Sequence, residues 1–285
     1  MTPQSILVGM DWGDSIDALV GIAPGLAVAL DATVHAVYVE DAELIRATRI
    51  PPVPLLPPMG AIPFDTTSSA ELETKFQKEE SRLGKLFLEL TADTRIKGSF
   101  LVERGEVEEV LVRESRAHDL LLLGKYSERN RAQDAPLGAH VERIVRRAYC
   151  PVLLVPPRAE LGARFLVAYD GSAGAHRALA SSLSLARAAA AQLGIVVVAR
   201  EETARHLTRE AEAYLQAHQA SARIAVRRGD PAEQILAELE GGEYSLLAMG
   251  AYGQSRLKEF LGARVTHDVL RRARGATLLL GPMED

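Results

Sequence analysis

The chain repeats one pattern of residues in its two halves. Residues 6–15 and 165–172 each give an apolar run that ends in Asp and is followed by Gly and Ser, which indicates a strand, a turn and the start of a helix. Residues 103–126 and 227–252 also match, each with Arg-Gly, an acidic residue, a helical stretch and an apolar strand that ends in Gly. Because each copy is long enough to close its own core, the sequence predicts two homologous domains, not a solenoid of short stacked repeats.

Composition sets the class of protein. The 285 residues are 47% hydrophobic and 25% charged, as in ordinary globular chains, and the length suits two domains. A formal charge of −5 argues against non-specific binding to nucleic acid, which needs a basic surface. A single cysteine excludes an internal disulfide, and the sequence shows neither a signal-like amino terminus nor an apolar run of about 18 residues. We therefore expect a cytoplasmic protein that binds neither membranes nor nucleic acid.

Apolar runs alternate with helical patterns along both halves. Uninterrupted runs such as Leu120–Leu123 are typical of strands buried on both faces of a parallel sheet. The alternation therefore predicts an α/β fold of two doubly wound, five-stranded parallel sheets. The predicted strands of the first half are 6–10, 33–39, 99–102, 120–123 and 151–155. Those of the second half are 165–169, 195–199, 224–226, 246–249 and 277–280.

Prolines mark the boundary between the halves. Pro156 and Pro157 forbid a continued strand or helix, and small residues follow them up to position 163. Such a stretch is typical of a linker that few contacts cross. The predicted domains are therefore 1–157 and 164–285.

The first domain is longer because it carries an insertion at about 41–74. Its proline-rich part, residues 50–63, cannot form a helix or a central strand. Apolar side chains lie between the prolines, namely Val53, Leu55, Leu56 and Met59. Two interpretations remain open, an ordered arm packed on the protein or on a partner, and a mobile lid or docking segment.

A ligand is expected at the carboxyl ends of the strands, because helix amino termini point into the crevice where the strand order of a parallel sheet reverses. One feature that should lie there is the acid at the end of the first strand of each half, Asp11 or Asp170. Its carboxylate can accept a hydrogen bond from a ribose hydroxyl or a base amine. Asp11 can equally cap the next helix, whereas Ser172 is the predicted cap in the second half.

The other feature is the turn after the fourth strand, at 124–127 and at 250–253. Gly250 and Gly253 would let backbone amides approach a polyphosphate closely, and the helix at 265–272 would offer free N–H groups to an anion. Basic side chains lie in the same stretch, namely Arg256, Lys258 and Arg264. A turn that needs a positive φ is the alternative explanation of the glycines.

Several motifs are typical of one known family. The second half has Asp170-Gly-Ser172, Met249-Gly-x-x-Gly253, the segment 255–261 and Val265-Thr266, and the first half closes with 150–155. On these motifs the chain resembles a tandem two-domain member of the UspA-like universal stress protein family. The resemblance implies a Rossmann-like fold of the adenine nucleotide alpha hydrolase type and ATP binding. It also implies that the domains pack face to face about a pseudo-twofold axis, with their last strands in contact, as single-domain members do in homodimers.

The resemblance also implies a set of contacts. ATP-binding members share Gly-x2-Gly-x9-Gly followed by Ser or Thr, and the last pair holds phosphates. Here that pair falls on Ala263 and Arg264, and Gly262 lies one position early. Arg264 could bind phosphate through charge-assisted bonds, fill the phosphate pocket, or point into solvent. The implied nucleotide contacts are Ala168, Asp170, Val198, Met249, Gly250, Gly253, Ala263, Arg264, Val265 and Thr266.

The first half departs from this motif. Ser127 stands where the second glycine is expected, the acidic Glu128 and Asp134 follow, and Gly138-Ala139 comes late. Acidic groups near a polyphosphate repel it. We therefore expect only the second half to bind ATP in the manner of the family.

The sequence gives little support for a metal site, a catalytic thiol or a nucleophilic serine. No histidine pairs with His, Cys or a carboxylate cluster at ligand spacing, so no metal is predicted apart from Mg²⁺ arriving with ATP. Cys150 precedes an apolar strand and is expected to be a buried small side chain, not a catalytic thiol. Neither a P-loop nor a Gly-x-Ser-x-Gly elbow is found.

The leading hypothesis is a cytoplasmic stress-response protein that binds ATP or a related adenine nucleotide in its second domain. A slow ATP hydrolase is one alternative, although no general base is evident for it. A nucleotide-free scaffold is another, and the Ala263-Arg264 pair is its best support. Pairing of two chains as a homodimer is left open.

Overall fold

A computed structural model describes residues 3–11, 13, 15–48, 68–92, 96–125, 139–251, 263–273 and 277–280. The elements of the first half are β1 (Ser5–Met10), α1 (Ile16–Leu30), β2 (Thr33–Asp41), α2 (Ala42–Thr48), α3 (Ser69–Leu90), β3 (Gly98–Gly105), α4 (Val107–Glu114), β4 (Leu120–Gly124), α5 (Ala139–Arg147) and β5 (Val152–Val155). Those of the second half are β6 (Arg164–Ala168), α6 (Ala173–Ala188), β7 (Gln192–Val198), α7 (Glu201–Ala217), β8 (Ala222–Arg227), α8 (Pro231–Gly241), β9 (Leu246–Met249), α9 (Ala263–Arg272) and β10 (Thr277–Leu280).

The strands form one continuous sheet in the order β3-β2-β1-β4-β5-β10-β9-β6-β7-β8. Within each half the five strands are parallel, which confirms the predicted doubly wound α/β fold. The halves meet through β5 and β10, which pair antiparallel with Leu153 opposite Leu279. Contact between the last strands is thereby confirmed.

The expected face-to-face packing is wrong, because the halves join edge to edge. Helices cover both faces of the sheet in each half, so unpaired backbone groups would lie at the edge strands, which include β5 in the first half and β10 in the second. Joining the two edges satisfies these groups and removes an exposed strand edge. Antiparallel pairing of equivalent strands is also the arrangement that a local twofold axis produces.

The core lies on both faces of the sheet. Alternate residues of one strand point to opposite sides, so Ile6 and Val8 pack with α1 and α3 whereas Leu7 packs with α4 and α5. The second half repeats this layering, with α6 and α7 on one face and α8 and α9 on the other. Both faces are therefore buried, which explains the uninterrupted apolar runs. None of the described helices is long and apolar enough to cross a membrane.

Polar side chains fix several helix starts. The Ser172 hydroxyl accepts the Ala175 N–H at 3.1 Å, which confirms the predicted cap of α6. Ser15 directly precedes α1, but its hydroxyl makes no capping bond. The reason is its helical backbone, with φ −85° and ψ −8°, where a capping residue is normally extended. The other candidate, Asp14, lies outside the described residues.

The described ends of the predicted insertion at 41–74 are helical. α2 follows β2 directly, and the Asp41 carboxylate accepts the Glu43 N–H at 2.8 Å at its start. α3 begins after Ser68 with a reciprocal capping box to Glu71. Helix α2 was not predicted. The proline-rich residues 50–63 lie outside the described residues, so both interpretations of them stay predictions.

Candidate functional site

The strand order reverses between β6 and β9 in the second half. These strands are neighbours, and Ala168 lies opposite Met249 at their carboxyl ends. The helices that follow them pack on opposite faces of the sheet, α6 on one and α9 on the other. Because β9 and β10 are parallel, the helix between them begins at the carboxyl edge. The turn after β6, the turn after β9 and the first turn of α9 therefore border one crevice.

Asp170 lies in the turn after β6 and is 3% exposed. Its Oδ1 accepts the Ser172 N–H at 3.0 Å, which shapes the turn. Its Oδ2 is buried and has no hydrogen-bond partner among the described residues. One oxygen of this carboxylate thus stabilises the turn, and the other could accept a hydrogen bond from a ligand.

Gly250 begins the turn after β9 and lies against the first turn of α6. A Cβ atom at this position would be 2.8 Å from the Gly174 carbonyl carbon and 2.9 Å from the Ala175 nitrogen. Its φ is not positive, so the need for a positive φ does not explain this glycine. The requirement is close backbone approach. Gly253 lies outside the described residues.

Helix α9 contributes a buried hydroxyl to the crevice. Thr266 in its first turn has no exposed surface, and its Oγ1 has no hydrogen-bond partner among the described residues. The Arg264 side chain is 94% exposed, with its Nε 3.8 Å from Asp268 Oδ2. The side chain thus lies in solvent in this structure, and because residues 252–262 lie outside the described residues, its role toward phosphate stays a prediction.

Apolar residues of the predicted site belong to one cluster on the α8 and α9 face. Ala168, Val198 and Met249 are buried in it, and the half-buried Val265 packs against it. Ala168 and Met249 lie opposite each other at the carboxyl ends of β6 and β9, next to the turn that contains Asp170. The nucleotide contacts of these residues stay predictions. Ala263 is the first residue of α9.

A polar network beneath the Asp170 turn was not predicted. The Tyr169 hydroxyl lies 3.1 Å from His176 Nε2, which is 3.1 Å from Glu210 Oε1. Glu210 Oε2 would be 3.2 Å from a Cβ on Gly171, whose φ is +74°. Because Glu210 belongs to α7 and lies far along the chain, no local motif could have indicated the contact.

The first half has the same framework with different side chains. The Asp11 Oδ1 accepts the Gly13 N–H at 2.9 Å, as Asp170 does with Ser172. A Cβ on Gly124 would be 3.0 Å from the Ser15 Cβ, so Ser15 stands where the second half has Gly174. The residues at which the first half departs from the motif, Ser127, Glu128, Asp134 and Gly138, lie outside the described residues.

Cys150 is free and buried, as expected. Burial, with a smaller contribution from Asp119, raises the pKa of its thiol to about 12. A thiol with so high a pKa is a poor nucleophile at neutral pH. Within the described part of the chain, no group of three or more His, Cys, Asp or Glu residues could hold a metal ion.

Comparisons with known proteins identify relatives of both halves. The family model described as the universal stress protein family matches residues 3–156 and again 163–280. A universal stress protein of Synechocystis is 31% identical to this chain over 157 residues. That match spans 54% of this chain and 55% of the Synechocystis protein, about half of each.

Solved structures share the fold. A universal stress protein of Archaeoglobus fulgidus superposes with a TM-score of 0.73 at 16% identity, covering 100% of this chain and 98% of that one. A functionally unknown protein of Pseudomonas aeruginosa gives 0.64 at 17% identity, covering 98% and 92%. The cytoplasmic domain of a prokaryotic cation chloride cotransporter gives 0.52 at 16% identity, covering 97% and 94%. At these identities the likeness concerns the fold alone.

Proposed function

This chain belongs to the universal stress protein family, and from that membership we propose that it is a cytoplasmic protein that binds ATP, or a related adenine nucleotide, at the carboxyl edge of its second half. One observation carries the proposal. Two polar atoms that border the crevice, Asp170 Oδ2 and Thr266 Oγ1, are buried without a partner among the described residues.

Buried polar atoms without a hydrogen bond lower the stability of the folded protein. A buried polar group without a hydrogen bond destabilises a protein by about 1–3 kcal/mol, so unpaired groups at one crevice call for an explanation. A bound nucleotide supplies one. A ribose hydroxyl can donate to the Asp170 carboxylate, and the Thr266 hydroxyl can donate to a phosphate oxygen.

The remaining roles follow from the position of each residue. Ala168, Val198 and Met249 would form the apolar surroundings of the adenine, and Val265 packs against the same cluster. The free N–H groups at the start of α9 favour phosphate. Gly250 allows the backbone after β9 to approach closely. Contacts from Gly253, Ala263 and Arg264 are part of the proposal, as is Mg²⁺ carried in by ATP. The exposed Arg264 would offer charge-assisted bonds to a phosphate.

Calorimetric titration with ATP and Mg²⁺ tests the proposal, using wild type, Asp170→Asn and the matched first-half variant Asp11→Asn. Asn keeps the oxygen that the turn needs and removes the charge. We expect one site per chain, weakened at least about tenfold by Asp170→Asn and unchanged by Asp11→Asn. The melting temperature should rise with the logarithm of ATP concentration above the dissociation constant.

The absence of ATP binding would contradict the proposal. If protein freed of copurified nucleotide gives no heat and no thermal shift with ATP, nucleotide binding is excluded. The chain would then be a nucleotide-free scaffold, and its partners would have to be found by affinity capture. Loss of binding in Asp11→Asn instead of Asp170→Asn would move the site to the first half.

A further inference from the structure

Lys125 is a lysine with no exposed surface. It follows Gly124 at the end of β4, and its Nζ donates a hydrogen bond to the backbone carbonyl oxygen of Ala273. Ala273 is the residue after α9, so the bond joins the first half to the second. Lysine is almost never fully buried unless its ammonium group is paired, which makes this contact a specific feature of the chain.

The antiparallel junction explains how the two groups meet. Because β5 and β10 run in opposite directions, the carboxyl edge of the first half lies beside the amino edge of the second. Lys125 is at the first of these edges, and the carboxyl end of α9 is at the other. The Ala273 N–H donates to the Val269 carbonyl at 2.8 Å, so Ala273 continues the hydrogen bonding of α9 and its carbonyl lies at the negative end of the helix dipole.

The first half makes this bond to the second half, but among the described residues the second half makes no equivalent bond to the first. Ala251 follows Gly250 as Lys125 follows Gly124, and Ala251 is buried but has no side-chain donor. The equivalent of Ala273 is Ala148, which follows α5. The half without the phosphate motif thus holds the helix that carries Thr266, whereas the reverse bond cannot form.

We propose that Lys125 is a positioning residue for the nucleotide site of the second half. This inference rests on the proposed function. Lys125 fixes the carboxyl end of α9, a helix of ten residues and roughly 15 Å, and a helix of that length transmits the constraint to its amino end. The amino end bears Thr266 and the N–H groups that would contact phosphate. Lys125 therefore governs affinity for the phosphates and leaves the nucleoside contacts of Asp170 and Val198 unaffected.

Calorimetry with two ligands, ATP and adenosine, separates this role from a merely structural one. The variants are Lys125→Met, Lys125→Gln and Arg272→Met. Arg272 is the matched control, because it holds the same end of α9 through Glu233 at 2.5 Å but is about half exposed. We expect Lys125→Met to weaken ATP binding about tenfold and adenosine binding less than twofold, and Arg272→Met to change neither.

Three results would overturn the inference. One is that Lys125→Met binds ATP within twofold of wild type. Another is that it loses affinity for ATP and adenosine equally, which would indicate that the whole second half is less well ordered. If wild type binds neither ligand, the proposed function fails and the positioning role fails with it. Circular dichroism establishes whether Lys125→Met folds, and if it does not, Lys125→Gln, whose polar side chain is uncharged and one bond shorter than that of lysine, is judged by the same criteria.

Discussion

Gly250 lies so close to Gly174 that a Cβ atom on Gly250 would be 2.8 Å from the Gly174 carbonyl carbon. The contact holds the turn after β9 against the amino terminus of α6. It is repeated in the first half, where Gly124 packs against Ser15. Close packing of these two turns is therefore part of the shared framework, and differences between the halves come from the side chains placed around it.

Gly250→Ala is expected to lower the free energy of unfolding by about 1–3 kcal/mol, because the added methyl must displace backbone that cannot yield. Urea unfolding measures the change. Gly25→Ala in α1 is the control, since a Cβ there meets nothing within 4 Å. A helix-interior alanine should instead stabilise by about 0.5–1 kcal/mol. Equal stability of Gly250→Ala and wild type would contradict the close approach.

Much of the fold could be predicted because its signals are local. The apolar runs that alternate with helical patterns predicted all ten described strands. The residue pattern at Ser172 predicted the cap that the structure contains. For the strands and for the cap, a short window of sequence carries the physical cause. Contact of the last strands was predicted from the resemblance to the family.

Other tertiary contacts could not be predicted. The edge-to-edge junction depends on which surfaces the helices leave free. The bond from Lys125 to Ala273 joins residues in different halves. No periodicity or motif records such pairs, since each arises only when the chain has folded.

Thr266→Val is expected to have opposite effects on stability and on binding. Removing a buried hydroxyl without a partner should raise the free energy of unfolding by about 1 kcal/mol in the absence of nucleotide. The same change removes a proposed phosphate contact, so ATP affinity should fall. Ser182→Ala is the control, because Ser182 in α6 also has a buried, unpartnered hydroxyl among the described residues and lies outside the predicted site. Its stability should rise with ATP affinity unchanged. If Thr266→Val binds ATP as tightly as wild type, Thr266 does not contact the nucleotide.

Arg227→Met is expected to destabilise the second half. The Arg227 guanidinium lies 2.5 Å from Glu238, whose side chain is only 6% exposed. Leaving that carboxylate unpaired costs about 2 kcal/mol, less than for a fully buried pair because Arg227 is partly exposed. Arg147→Met, which breaks an exposed pair with Glu109, should leave the unfolding midpoint unchanged. Equal effects of the two variants in urea would contradict this difference in burial.

Cys150 is expected to resist thiol reagents in the native protein. Burial raises the pKa of its thiol to about 12, so little thiolate exists at pH 8 and access is closed. Labelling by a chromogenic disulfide should therefore be slow in buffer and fast in denaturing urea, where the pKa returns towards its ordinary value. Rapid labelling of folded protein would show that the strand after Cys150 opens readily.

His35 is expected to make stability depend on pH below neutrality. Its ring lies 2.8 Å from the Ser99 hydroxyl and 3.2 Å from the Thr33 hydroxyl, with the His118 ring 5.0 Å away. Burial, and then the neighbouring His118, lowers the pKa of His35 in the folded state. Between its ordinary pKa of 6.5 and that lowered value, the unfolded chain binds the proton more readily.

The contribution of His35 is therefore fully present above its ordinary pKa, is lost as the pH falls below 6.5, and becomes constant once the pH is below the folded-state pKa. Urea unfolding between pH 7.5 and 5 should show a smaller loss of stability for His35→Gln than for wild type. His206→Gln is the control, because it removes a histidine that is exposed on α7. If His35→Gln loses stability as steeply as wild type, the acid sensitivity arises from other groups.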